Sequence, residues 1–271
     1  MMKLTKALLF LPFLAGIIPF SPTVAAQEDP KTEELAKKRQ NPVSNLISLP
    51  LQNNFTPSSG ADDGIQNVLN IQPVIPVKVG PVNLINRIIL PIVTQPAVVS
   101  GGDGATGLGD INYQLFFSPS KPSRFVWGGG PIVIFPTGTD TILGQGKLSL
   151  GPTAVALALV GPWVGGLLIN NVWSVAGDET RPDVNQMLMQ PFINYNFSKG
   201  WFLSTSPILT ANWEASNDNR WTVPVGGGGG RVFKIGSQPV NLNTQFFYNA
   251  LRPQGVGPFT WRLSFTFLFP K

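Results

Sequence analysis

From Leu46 onward, apolar and polar side chains alternate with a period of two, in long runs broken by Gly, Pro, Asn and Asp. Twelve such runs are present, near 46–55, 65–77, 82–93, 110–118, 124–135, 147–159, 163–174, 185–197, 201–213, 220–234, 239–250 and 259–269. In the last, Trp261, Leu263, Phe265, Phe267 and Phe269 share one face, and Arg262, Ser264 and Thr266 share the other. In 239–250, Val240, Leu242, Phe246 and Tyr248 oppose Asn241, Asn243, Gln245 and Asn249. In 185–197, Met187, Met189, Ile193, Tyr195 and Phe197 oppose Gln186, Gln190, Asn194 and Asn196.

A soluble β-sandwich alternates too, so three further features decide the class. The runs exceed the usual strand of about 5–6 residues and suit the roughly 9–11 tilted residues of a membrane-spanning strand. Their polar face is built from Asn, Gln, Ser and Thr with isolated Arg87 and Arg262, as a wet interior requires. The connectors alternate in length: short at 78–81, 119–123, 160–162, 198–200 and 235–238, longer at 56–64, 94–109, 136–146, 175–184, 214–219 and 251–258. The pattern predicts an all-β fold, a transmembrane antiparallel β-barrel of about twelve strands with short periplasmic turns and longer extracellular loops.

Charge follows the same division. Ten of the 14 acidic residues fall in or beside the long connectors, among them Asp62, Asp63, Asp103, Asp110, Asp140, Asp178, Asp183 and Asp218. The short rim carries Lys78, Lys121, Arg124, Lys199 and Lys234. All seven tryptophans, Trp127, Trp163, Trp173, Trp201, Trp213, Trp221 and Trp261, tend toward run ends, as interfacial girdles would. Eight prolines oppose the pattern: Pro50, Pro73, Pro91, Pro131, Pro152, Pro191, Pro207 and Pro224 lie inside the runs, where each forfeits a ladder donor. Either the strands break there or the wall is kinked, giving a constriction or a side opening. Gly128 to Gly130 and Gly226 to Gly230 read as bulges or close packing rather than ligand contacts.

Ahead of the barrel, Lys3 and Lys6, an apolar core of 14 residues at 7–20 and the small Val24-Ala25-Ala26 form a secretory signal peptide over residues 1–26, cleaved before Gln27. Its apolar core is short of the roughly 20 residues of a spanning helix. Residues 27–45 form a charged periplasmic lead-in with a short helix over 32–40, ended by Pro42. It is read as a solvated tether in preference to a plug entering the lumen. Without Lys3 and Lys6 the chain has 17 basic and 14 acidic residues, net +3, too mild and too scattered for a nucleic-acid partner.

The stretches QNPVSNLISLPLQNNF (40–55), NIQPVIPV (70–77), GLGDINYQLFFSPSKP (107–122), GKLSLGPTAVAL (146–157), NNVWSVAGD (170–178) and DVNQMLMQPFINYNF (183–197) resemble the outer-membrane proteins of the MetA-pathway of phenol degradation family, whose members also carry the misnomer neuromedin U. The resemblance covers about residues 33 to 271. It implies a barrel distantly related to long-chain fatty-acid and hydrophobic-compound transporters. Those carry about fourteen strands and a longer N-terminal plug, so their gating does not transfer to a chain supporting about twelve. The last strand ends Phe269-Pro270-Lys271 rather than on an aromatic; Phe265, Phe267 and Phe269 remain as an assembly signal for the barrel-insertion machinery.

His and Cys are both absent, which removes the commonest general base, thiol nucleophiles and thiolate metal sites. A Ser/His hydrolase is excluded. Gly107-Leu108-Gly109-Asp110 and Pro136-Thr137-Gly138-Thr139-Asp140 lack the ending of a phosphate-binding loop. Asp178-Glu179 with Asp183, like Asp62-Asp63, reads as a solvated acidic loop before it reads as a cation site. The chain is therefore expected to be no enzyme, with no catalytic, cofactor or metal residue. The expected lumen lining is Asn70, Gln72, Arg87, Asn112, Gln114, Gln190, Asn194, Asn212, Asn241, Asn243, Gln245 and Arg262. The expected function is passive uptake of small molecules, their hydrophobic or aromatic character being implied by the resemblance. The alternative is a structural or surface-interaction barrel whose acidic loops bind cations or a partner. Expected partners are outer-membrane lipid and lipopolysaccharide, the insertion machinery and a small-molecule substrate; the oligomeric state stays open.

Overall fold

The computed structural model describes residues 30–121 and 123–270, with side chains from Glu34 on; the signal peptide expected over 1–26 lies outside them. One helix, α1 (Pro30–Gln40), precedes fifteen strands: β1 (Ile47–Ser59), β2 (Gly64–Ile71), β3 (Val74–Val79), β4 (Val82–Gln95), β5 (Ala105–Leu108), β6 (Ile111–Pro119), β7 (Phe125–Phe135), β8 (Lys147–Val160), β9 (Trp163–Gly177), β10 (Asn185–Asn196), β11 (Trp201–Thr205), β12 (Leu209–Asn212), β13 (Trp221–Ile235), β14 (Gln238–Leu251) and β15 (Phe259–Phe269). Three pairs are single staves with an interruption: β2 with β3, β5 with β6, and β11 with β12. The wall therefore has twelve staves. Each pairs antiparallel with the next in sequence, and β1 closes on β15 from Ile47↔Phe269 to Phe55↔Trp261. The result is a closed twelve-strand antiparallel barrel, as the alternation and connector lengths predict.

Closure satisfies the backbone without help from solvent, and the pleat then sends alternate side chains inward and outward. Outside lie Trp163, Leu167, Ile169 and Trp173 of β9, all exposed; inside lie Val164, Leu168 and Val172, all buried. Trp163 and Trp173 are ten residues apart on one strand, about 33 Å of chain. At the usual tilt that separates the two girdles by about 25 Å, the height of an outer-membrane apolar band. The girdle rings pack on one another: Trp163 edge-on to Tyr195 at 4.8 Å, and Phe246 stacked on Trp261 at 5.8 Å.

Three short turns share one device, a glycine in the left-handed region: Gly80 (φ 57°), Gly161 (φ 55°) and Gly236 (φ 60°). Each is the first of two loop residues, where the tight hairpin turn of the II′ type calls for Gly. At the opposite rim the ladders run further than the sequence pattern indicates. β1 continues to Ser59 and β2 begins at Gly64, so the first expected long loop shrinks to four residues.

The prolines act in two ways. Strands pass through Pro50, Pro91, Pro131, Pro152, Pro191 and Pro224, but break at Pro73 and Pro207. Pro131 and Pro152 face each other in the β7–β8 register. Beside them pairing lapses toward β6 and β9, between Gln114↔Ile132 and Phe117↔Gly129 and between Leu150↔Trp173 and Thr153↔Asn170. The largest lapse surrounds Pro207. Pairing with β10 stops at Ile193↔Thr205 and resumes at Met189↔Leu209; with β13 it stops at Ser204↔Gly228 and resumes at Thr210↔Thr222.

Two substitutions test this wall. Leu167→Arg places a guanidinium on the lipid face between the girdles and should cost about 2–4 kcal/mol. Gly228→Val drives a Cβ into the Thr244 carbonyl oxygen, a clash with backbone that no rotamer relieves. Urea titration in lipid vesicles should give a lower midpoint for Leu167→Arg and little folded barrel for Gly228→Val. Wild-type midpoints for both would contradict the assigned faces.

Candidate functional site

The lumen is built from the inner positions of every stave and, at the short-turn end, from the lead-in. α1 does not extend away as a tether. Leu35, Ala36 and Leu46 are buried against Phe202 of β11, Val232 of β13 and Leu268 of β15. On the other side Val43 packs with Ile85, Phe116, Val155, Leu157, Val164, Leu168 and Phe192. Gln40 and Asn196 of β10 exchange two side-chain hydrogen bonds of 2.9 and 3.0 Å. The inner wall at this level is apolar, and an apolar surface facing the lumen calls for a cover; the residues after the helix supply it. Charge on α1 is handled separately: Lys38 pairs with Glu34 at 2.6 Å along the helix.

Above the lead-in lies a partly open cavity of about 150 Å³. Seven of the twelve expected lining residues meet there: Gln72, Arg87, Gln190, Asn194, Asn243, Gln245 and Arg262. Two more, Asn112 and Asn212, line an outer cavity of about 570 Å³ nearer the long loops. The remaining three lie on inner positions but line neither. Asn70 pairs in register with Gln52, Gln114 donates to Asn112 at 3.2 Å, and Asn241 is fully buried in the wall. Leu168 and Asn170 of β9, and Gln190 and Leu188 of β10, divide between the two cavities, so these stack along the barrel axis one inner position apart.

A hydrogen-bonded belt lines one side of the inner cavity. Arg262 donates to Asn54 Oδ1 (2.9 Å) and, across the lumen, to the Ser206 carbonyl (2.8 Å), while its guanidinium lies 4.8 Å from the Phe247 ring. Ser206 Oγ donates to Gln245 Oε1 (3.0 Å), and Gln245 Nε2 donates to Ser204 Oγ (2.9 Å). Gln245 sits on β14 and Ser204 on β11, with Gly228 of β13 between them in register. Any side chain at 228 would stand in the way, which gives the glycine run its purpose. Three staves along from Arg262, Arg87 donates to Gln72 Oε1 at 2.7 Å.

The lead-in contributions of Arg39, Gln40, Asn41, Pro42 and Ser44 are absent from the expected lining, as are Ser204, Ser206, Ser264 and Thr266. The serines and threonines were visible in the alternation; the lead-in residues carried no period-two signal.

The acidic loops engage their own backbone. Asp110 accepts from the N–H groups of Gly138 (3.0 Å) and Gln145 (2.6 Å), and Arg181 donates to the carbonyls of Thr141, Gly144 and Gln145, joining two loops. Asp62 is held below the ordinary carboxylate range by the Ser100 hydroxyl and the Gly101 N–H, and Asp178 by the hydroxyl and N–H of Thr180. Asp183 accepts from Ser174 and faces Lys147 at 3.5 Å. Among the described residues no group of three or more carboxylates is arranged to hold a metal ion.

The fold defines an outer-membrane-type β-barrel. No family model and no curated protein matches the sequence. Among solved structures the chain is similar to the COG4313 outer membrane channel from Pseudomonas putida F1, with a TM-score of 0.62 and 15% identity over 83% of this chain and 94% of that one. It is also similar to the NanC porin, with a TM-score of 0.54 and 9% identity over 81% of this chain and 98% of that one.

Leu35→Asp should undock the helix, since a carboxylate in place of a buried leucine costs about 2–3 kcal/mol or more. Limited trypsinolysis of the folded protein should then cut at Lys37, Lys38 or Arg39, while these bonds stay protected in the wild type. Equal cleavage in both would show that the helix is not seated.

Proposed function

We propose that this chain is an outer-membrane channel for passive uptake of small, hydrophobic or aromatic molecules, narrowed at its periplasmic end by its own lead-in. The observation that carries this reading is the pair of stacked cavities along the barrel axis, about 570 and 150 Å³, leading from the long-loop rim to the seated helix. The similarity to a COG4313 channel and to a porin supports passage as the class of function. The resemblance to the phenol-degradation family supports the hydrophobic or aromatic character of the solute.

Channel chemistry suits the lining better than catalysis does. With no His or Cys in the sequence and no carboxylate among the described residues of the inner cavity, no general base faces a nucleophile there. The lining donates and accepts hydrogen bonds through amides and hydroxyls, and Leu168, Phe192 and Val74 add apolar surface. Such a mixed wall lets a small solute exchange water contacts for protein contacts without tight capture.

Planar-bilayer recording of the refolded protein from Gln27 to Lys271 tests the reading. Small, steady steps are expected from the wild type, and several-fold larger steps from Leu35→Asp, whose helix no longer fills the lumen. Silence from both proteins, each verified as folded and inserted, would contradict a channel.

A further inference from the structure

Three arginines meet in the inner cavity: Arg39 from α1, Arg87 from β4 and Arg262 from β15. Among the described residues no aspartate or glutamate lines this cavity, and none of the three arginines takes part in an ion pair. Arg87 is met by the neutral amide of Gln72, and Arg262 by Asn54, the Ser206 carbonyl and Gln245. These acceptors solvate the guanidinium groups but cancel none of their charge. Arginine stays protonated at any physiological pH, so the cavity holds a concentration of positive charge with no counter-charge among the described residues that line it. Clustered charges in a cavity shielded from bulk water are ordinarily balanced, and an anion entering this one would supply the balance that no described residue lining it provides.

The rest of the lining indicates what accompanies the negative group. Leu168, Phe192 and Val74 face the same cavity. The volume of about 150 Å³ matches that of a cavity able to take up a benzene-sized body. A guanidinium fork fits the two oxygens of a carboxylate, which suits a monoanion with a flat head. A volume of about 150 Å³ does not hold the acyl chains of a lipid phosphate.

We propose that the inner cavity is a binding site for a small aromatic carboxylate, its head among Arg39, Arg87 and Arg262 and its ring against Leu168 and Phe192. The assignment rests on reading the lumen as a passage and names the class of solute that passage selects.

Benzoate and its neutral isostere benzamide are the probes, titrated against the folded mature protein by equilibrium dialysis at neutral pH. Benzoate should bind at least ten-fold more tightly than benzamide. Arg87→Gln combined with Arg262→Gln should bring benzoate down to the benzamide level and leave benzamide unchanged, and Arg87→Lys should keep part of the preference. Heat-modifiable migration on gels reports folding. Since Arg262 also holds Ser206, Arg87→Gln alone provides a second variant and should lower benzoate affinity several-fold. Equal binding of the two probes by the wild type would overturn the anion assignment and leave the passage reading standing. A benzoate preference that survives loss of both arginines would overturn the site. No binding of either probe to folded protein would overturn the site, while the passage reading stands or falls on the bilayer recording.

Discussion

Every backbone amide of the wall must find its partner within the wall, because the surrounding lipid offers none. That constraint closes β1 on β15 and fixes the register of each neighbouring pair. Once the ring is closed the pleat has only two directions to send a side chain, and lipid takes one of them. The outer positions become tryptophan, phenylalanine and leucine, and the inner positions are free to be polar. The interruptions are tolerated where proline removes a donor. Around Pro207 the neighbours no longer pair with the stave, and the Ser206 carbonyl accepts from Arg262. A carbonyl released from the ladder thus becomes part of the lumen.

The interior is organised by level. At the short-turn end the inner wall is apolar, and Leu35, Ala36, Val43 and Leu46 cover it. One level up, amides, hydroxyls and two wall arginines form a belt that the glycines of β13 allow to close across three staves. Higher still, the lumen opens into the outer cavity beneath loops that are tied by Asp110 and Arg181. The same chain thus builds a narrow, positively charged middle between an apolar seat and a wider mouth.

Much of the wall was legible in the sequence. Runs such as 239–250 and 259–269 alternate cleanly because their inner residues are polar along most of their length. Of the twelve residues expected to line the lumen, seven line the inner cavity and two the outer, whereas Asn70, Gln114 and Asn241 line neither. The lead-in was misread for a physical reason. Its glutamates and lysines pointed to water, whereas its docking depends on a few residues, Leu35, Ala36, Val43 and Leu46, too sparse to give a periodic signal. The matching clue lay elsewhere: in 147–160 and 163–177 apolar residues occupy both faces, and Val155, Leu157, Val164 and Leu168 on the inner face mark where the lead-in packs. Arg39 was hidden with it, so the third positive charge of the cavity appeared only in the structure.

The division of faces is the claim on which the rest depends, and the native tryptophans report it without mutation. All seven lie on outer positions, in two girdles. In vesicles of phospholipids brominated along their acyl chains, their emission should be strongly quenched, more by bromines near the headgroups than by bromines at the bilayer centre. Acrylamide in the aqueous phase should have little effect. Emission quenched by acrylamide and insensitive to brominated lipid would place the tryptophans in water and contradict the barrel's orientation of faces.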